Sequence, residues 1–141
     1  PLSPTHPWKR PAMIIQTKRD APRYERDGTS SYLLVSPLTC KSVHLTTSIV
    51  ELKPDGQQRP HRHEPEQIYY IISGRGLMSV DKETWEVVEG DCVLVPAGTV
   101  HSLRNTNDEM LRYFSAAAPA FSAEQLEVLW PLPPETESQE E

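Results

Sequence analysis

Three histidines and one glutamine, His61, His63, His101 and Gln67, are spaced as a metal site inside a small β-barrel. Imidazole is the commonest protein metal ligand, and a His-x-His pair on a strand turns both rings to one face. The pair lies in the run Gly56-Gln57-Gln58-Arg59-Pro60-His61-Arg62-His63-Glu64-Pro65-Glu66-Gln67. The third histidine closes the run Gly90-Asp91-Cys92-Val93-Leu94-Val95-Pro96-Ala97-Gly98-Thr99-Val100-His101. His44 sits in a strand-like run outside both segments and reads as a satisfied or exposed side chain. His6 lies in a proline-rich arm and is not a ligand candidate.

Short strands must hold these residues. Val43 to Leu52 alternates apolar and polar positions and stops at Pro54-Asp55-Gly56, a turn signal. Gln67 to Ser73 is rich in Ile and Tyr. Leu77–Val80 and Thr84–Val88 flank Asp81-Lys82-Glu83 as a hairpin, and Cys92–Val95 is a further strand. Val100–Arg104 and Met110–Ser115 read as a last pair joined by Asn105-Thr106-Asn107-Asp108. Strands this short and turns this regular predict an all-β sandwich or barrel. One helix is expected late. Ser122-Ala123-Glu124-Gln125 is a capping box, Leu126 and Leu129 form an apolar stripe, and Pro131 ends it.

The whole chain sets outer limits. At 141 residues it holds one domain with a real core. Residues 1–11 read as an extended N-terminal arm, 12–130 as the barrel with its C-terminal helix, and 131–141 as a Pro-rich acidic tail. A composition of 37% hydrophobic and 24% charged residues is that of a soluble globular protein. Fourteen Lys+Arg against 20 Asp+Glu give a net charge of −6 with no basic run, so nucleic acid is not an expected partner. No apolar run reaches the length of a membrane helix. The chain opens without a charged-then-apolar leader pattern, and cytoplasmic placement is the default expectation. Cys40 and Cys92 lack metal-ligand spacing and read as small, buried or half-buried thiols of a reducing compartment, with a disulfide left open.

The two segments resemble the paired motifs of the cupin superfamily. His61, His63, Gln67 and Gly74 fall on the first motif, with the gap from Gly56 one residue shorter than usual. Gly90, Pro96, Gly98, His101 and Asn105 match the second without a gap. The resemblance covers roughly residues 40 to 118. It implies an all-β fold, a single cupin-type barrel (double-stranded β-helix, or jelly roll), here with one short C-terminal helix. It also implies one divalent transition metal, held by His61, His63, His101 and the residue at the acidic ligand position. That position holds Gln67, not Glu, and Glu66 is out of step with Gly74. Gln67 either ligates directly or supports a three-His site with open positions.

The exchange has chemical consequences. Three imidazoles and a carboxylate leave a divalent ion at net +1, whereas an amide oxygen leaves it at +2. The ion is then a stronger Lewis acid, and Fe(II) is favoured over Fe(III). Gln67 is no general base. Fe, Mn, Ni, Co and Zn all suit this donor set. Tyr69 shares the parity of Gln67 and is the candidate catalytic contact to substrate, or else a core residue. Val93, Val95 and Leu103 are candidate apolar walls. Arg59, Arg62 and Arg112 are candidates for holding an anionic substrate, or solvated rim residues. Phe121 and Trp130 are placed to pack the helix over one barrel end.

The expected function is an enzyme acting on a small oxygenated molecule, with the lean toward a dioxygenase-type oxidoreductase. The alternatives are a non-redox isomerase or lyase in which the metal stabilises an enolate, and a non-catalytic small-molecule-binding barrel. A homodimer is implied by the resemblance, and exposed sheet edges give a physical reason for one.

Overall fold

The computed structural model describes residues 12–129. The N-terminal arm, Trp130 and the acidic tail lie outside the described residues. Ten strands and two short helices follow one another: β1 (Arg23–Arg26), β2 (Thr29–Leu33), α1 (Pro37–Cys40), β3 (Thr46–Leu52), β4 (Gln57–His61) and β5 (Glu66–Ser73). After them come β6 (Arg75–Val80), β7 (Glu83–Val88), β8 (Cys92–Val95), β9 (His101–Arg104), β10 (Leu111–Ala118) and α2 (Ala123–Leu129). They form a six-stranded sheet, β1-β2-β3-β10-β5-β8, and a four-stranded sheet, β4-β9-β6-β7. Every pairing is antiparallel.

Alternation along each strand decides what faces inward. β10 buries Leu111, Tyr113, Ser115 and Ala117, and β5 buries Gln67, Tyr69 and Ile71. Val50 and Leu52 from β3, Val95 from β8, and Met78, Val87 and Leu103 from the facing sheet complete one apolar core. At about 25 cal/mol per Å² of apolar surface, each of these side chains contributes roughly 1.5–3 kcal/mol by leaving water. A smaller cluster, Tyr24, Leu33, Ala117, Phe121 and Leu126, packs α2 over one end.

The expected β6–β7 hairpin and the late helix form as read. At α2 the capping box closes in both directions: Gln125 N–H donates to Ser122 Oγ (3.1 Å) and Ser122 N–H to Gln125 Oε1 (2.7 Å). Three expectations change. β9 and β10 are not partners: β9 pairs with β4 and β6, and β10 with β3 and β5. The chain between them crosses from one sheet to the other, anchored by Asn105, whose Nδ2 donates to the carbonyls of Leu52 (2.9 Å) and Glu109 (2.7 Å). β3 begins only at Thr46, leaving Val43 and Leu45 exposed. A second helix, α1, is capped by Ser36, whose Oγ accepts from Thr39 N–H (3.0 Å), with Pro37 in its first turn.

The β1–β2 hairpin is an addition to the sequence expectation. Its signal is the two-residue loop Asp27-Gly28, both at positive φ (52° and 74°), the geometry that matches strand twist. The hairpin lies against the loop before β4. There a Cβ on Gly56 would meet the Gly28 carbonyl oxygen at 2.6 Å, so only glycine fits. Both cysteines are free, with Cys40 half-buried and Cys92 exposed rather than sheltered. Among the described residues no helix is long and apolar enough to cross a membrane.

Candidate metal centre

The sandwich brings His61, His63, Gln67 and His101 together. His61 ends β4 and pairs in register with His101, which opens β9. His63 follows on the loop into β5, where Gln67 is the second residue. The turn Pro96–Thr99 carries the chain into β9, and Gly98, at φ +72°, donates its N–H to the His63 carbonyl (2.8 Å). This bond joins the two motif segments directly.

The rings converge. His61 and His101 have centroids 4.2 Å apart, and His63 and His101 4.8 Å. One ligand nitrogen from each of the three histidines lies within 4.8 Å of the others. Each Nδ1 meets a backbone carbonyl: His61 that of Arg59 (2.7 Å), His63 that of Pro65 (2.9 Å) and His101 that of Thr99 (2.9 Å). A carbonyl only accepts, so these contacts select the tautomer with the proton at Nδ1, which leaves Nε2 as the ligating nitrogen of each ring. This is the arrangement in which outer hydrogen bonds orient metal-binding imidazoles. Burial lowers His101 to about 3, with the charges of His61 and His63 adding to the effect. Burial likewise lowers His61. Neutral rings are the form a metal binds.

Gln67 bridges outward. Its Oε1 stands 2.9 Å from His63 Nε2, and its Nε2 donates to Ser115 Oγ at 2.6 Å. Tyr69 presents its ring edge to His101 (centroids 5.9 Å, 86°) and stacks on Tyr113 (4.3 Å, 8°). Both tyrosine hydroxyls donate to Gln58 Oε1, at 2.7 and 2.8 Å. Burial pushes both phenols upward, so they stay protonated. Phe121 sets its edge on His63 at 4.8 Å. Val95 and Leu103 are fully buried in the core, with Val93 packed against it.

Two arginines named as anion holders are engaged elsewhere. Arg59 Nε pairs with Asp27 (2.8 Å) and Arg112 Nε with Glu51 (2.9 Å), both outside the barrel. Even parity carries Arg112 to the outer face of β10. Arg62 is exposed. Sequence reasoning missed Gln58 and Ser115. The parity that marks Tyr113 also marks Ser115, and a polar residue on an inward face is the signal for it.

A family model described as Cupin domain matches residues 48–117. Uncharacterized protein MJ1618 of Methanocaldococcus jannaschii is 33% identical over 119 residues, which span 82% of this chain and 95% of that protein. The chain belongs to the cupin family. A second relative of this cupin is dimethylsulfoniopropionate lyase DddW of Ruegeria pomeroyi, 30% identical over 80 residues. That match spans 56% of this chain and 52% of the lyase, about half of each. Among solved structures, KdgF from Halomonas sp. superposes with a TM-score of 0.68 at 16% identity, covering 80% of this chain and 99% of that one. At that identity the likeness shows the fold alone.

The donor set of this cupin fits a metal ion. His101 Nε2 is buried and has no hydrogen-bond partner among the described residues. An orphaned acceptor of that kind is costly unless something binds it. A cation held by His61, His63 and His101 would satisfy it.

Proposed function

We propose that this cupin is a metal-dependent enzyme acting on a small oxygenated molecule, with His61, His63, His101 and the Gln67 amide oxygen as ligands of one divalent transition metal. The observation that carries this reading is the convergence of three Nδ1-anchored imidazoles on the orphaned Nε2 of His101. When bound, the metal supplies a Lewis acid for a substrate carbonyl, enol or carboxylate oxygen. The chain's own residues do the rest. Gln67 keeps the donor set neutral and takes no proton. Tyr69 stays protonated and is the hydroxyl whose ring touches His101, which makes it the candidate acid. If it releases Gln58, Tyr113 still satisfies that amide oxygen.

The neutral donor set favours Lewis-acid chemistry, and the likeness to a lyase points the same way, so a non-redox lyase or isomerase is the first reading. A dioxygenase-type oxidoreductase is the second, supported by the preference of such a site for Fe(II). A homodimer belongs to the same proposal. β7 and β8 are sheet edges that carry exposed Trp85 and Leu94, surface that a second copy would cover.

The test is elemental analysis of protein purified without added metal, for wild type and His101→Ala, followed by oxygen-uptake assays. Stoichiometric metal lost in the variant supports the site. Zn, Ni, Co or Mn without oxygen uptake supports the lyase or isomerase reading. Fe with substrate-dependent oxygen uptake selects the oxidoreductase. No metal after reconstitution overturns the proposal and leaves a small-molecule-binding barrel.

A further inference from the structure

We propose that Ser115 anchors the Gln67 amide beside the three histidines, with its oxygen available to them, and so serves as a positioning residue for metal binding. The inference rests on the reading of Gln67 as a ligand.

An amide NH2 only donates and an amide oxygen only accepts, so a partner that accepts from the nitrogen leaves the oxygen free to face the other way. Gln67 Nε2 donates to Ser115 Oγ at 2.6 Å, and it has no other hydrogen-bond partner among the described residues. Both residues are buried, Gln67 at 7% and Ser115 at 4% exposure, so water does not readily replace the bond. Oε1 is thereby held 2.9 Å from His63 Nε2. With one proton at Nδ1, directed at the Pro65 carbonyl, the His63 ring has only a lone pair at Nε2 to set against the amide oxygen. Two acceptors at that separation repel unless a cation joins them, either a second proton on the ring or a metal ion.

Ser115 suits the task because a hydroxyl both donates and accepts. With the amide oxygen toward the histidines, Oγ accepts from Nε2. With the amide reversed, Nε2 donates to His63 and the hydroxyl donates to the oxygen. In the ligating orientation the amide nitrogen therefore keeps a partner, which an apolar residue here does not allow. The position is rigid as well. Ser115 lies opposite Ser48 on β3 and Tyr69 on β5, and β10 is paired on both sides. Outer partners of metal ligands typically change affinity by about 10–100-fold.

Co(II) is the probe. Its dissociation constant is measured by chelator competition and its visible d–d spectrum recorded for wild type, Ser115→Ala, Ser115→Thr, Gln67→Ala and the Ser115→Ala/Gln67→Ala double variant. Ser115→Ala is expected to weaken Co(II) binding about 10–100-fold and to move the spectrum toward that of Gln67→Ala. Ser115→Thr restores both. In the Gln67→Ala background Ser115→Ala adds nothing, because its effect passes through that amide. If Ser115→Ala does not fold, Ser115→Cys replaces it, with the same expectation at reduced size. Wild-type binding with an unchanged Ser115→Ala, or an equal loss in the Gln67→Ala background, overturns the role of Ser115 alone. An unchanged Gln67→Ala overturns Gln67 as a ligand, and absence of Co(II) binding in wild type overturns the metal reading itself.

Discussion

His61 and His101 stand opposite one another across the β4–β9 ladder, ring centroids 4.2 Å apart, each tied through Nδ1 to the carbonyl two residues before it. The ladder sets the separation of the two rings and the carbonyls set their rotation, so the lone pairs converge before any ion arrives. Preorganisation of this kind moves the ordering cost from the binding step to folding.

Metal should therefore stabilise the folded protein in proportion to its affinity. At a metal concentration about 100 times the dissociation constant, wild type gains about 2.7 kcal/mol. His101→Ala, lacking the central donor, gains none. Thermal melts with and without added metal read this directly, and an equal upward shift in both proteins would remove His101 from the site.

Acid should weaken the metal-free fold. Burial holds His101 down at about 3 and lowers His61 too, whereas histidine in an unfolded chain titrates near about 6.5. Between those values the unfolded chain binds more protons, so stability falls as pH falls. The contribution is complete above about 6.5 and is eroded toward about 3. Urea midpoints of the apo protein should drop from pH 7.5 to pH 4.5, and less steeply in His101→Gln. Parallel slopes for the two proteins would place the acid sensitivity elsewhere.

Tyr69→Phe separates proton transfer from packing. The ring keeps its place between His101 and Tyr113, and Gln58 Oε1 keeps the Tyr113 hydroxyl, so stability falls by only about 1 kcal/mol. Metal content should stay at the wild-type level while kcat falls by about 100-fold, the lower end for a lost general acid. Once a substrate is in hand, a kcat within a few-fold of wild type would leave Tyr69 as a wall of the site.

The local signals and the global pairing were legible to different degrees. Strand alternation, the Ser122–Gln125 capping box and the spacing of His61, His63 and His101 are local, and each shows in the sequence. Which strands pair is not local: β9 and β10 are consecutive, yet Asn105 sends them to different sheets. The arginines stayed open between two readings because charge says where an anion would be welcome, not which carboxylate is already there, as Asp27 is for Arg59. Gln58 escaped because its importance comes from two tyrosines, one of them distant in sequence (Tyr69 and Tyr113), meeting on one oxygen.

Asn105 carries the last test. It is fully buried, donates to the carbonyls of Leu52 and Glu109, and accepts from Asn107 N–H at 3.0 Å. Its own N–H meets the Gly56 carbonyl, which ties the end of β9 to the loop that opens the first motif segment. Alanine keeps that backbone bond and strands the side chain's partners, at a cost of about 1–3 kcal/mol for each buried group left unsatisfied. Asn105→Ala should lose about 3 kcal/mol in urea unfolding, and Asn105→Asp should lose a comparable amount, because a carboxylate offers no N–H to the two carbonyls. Any metal loss in Asn105→Ala should track unfolding, since none of this residue's hydrogen bonds goes to a histidine. Metal loss in a fully folded Asn105→Ala would show that the crossover, and not the ladder alone, sets the geometry of His101.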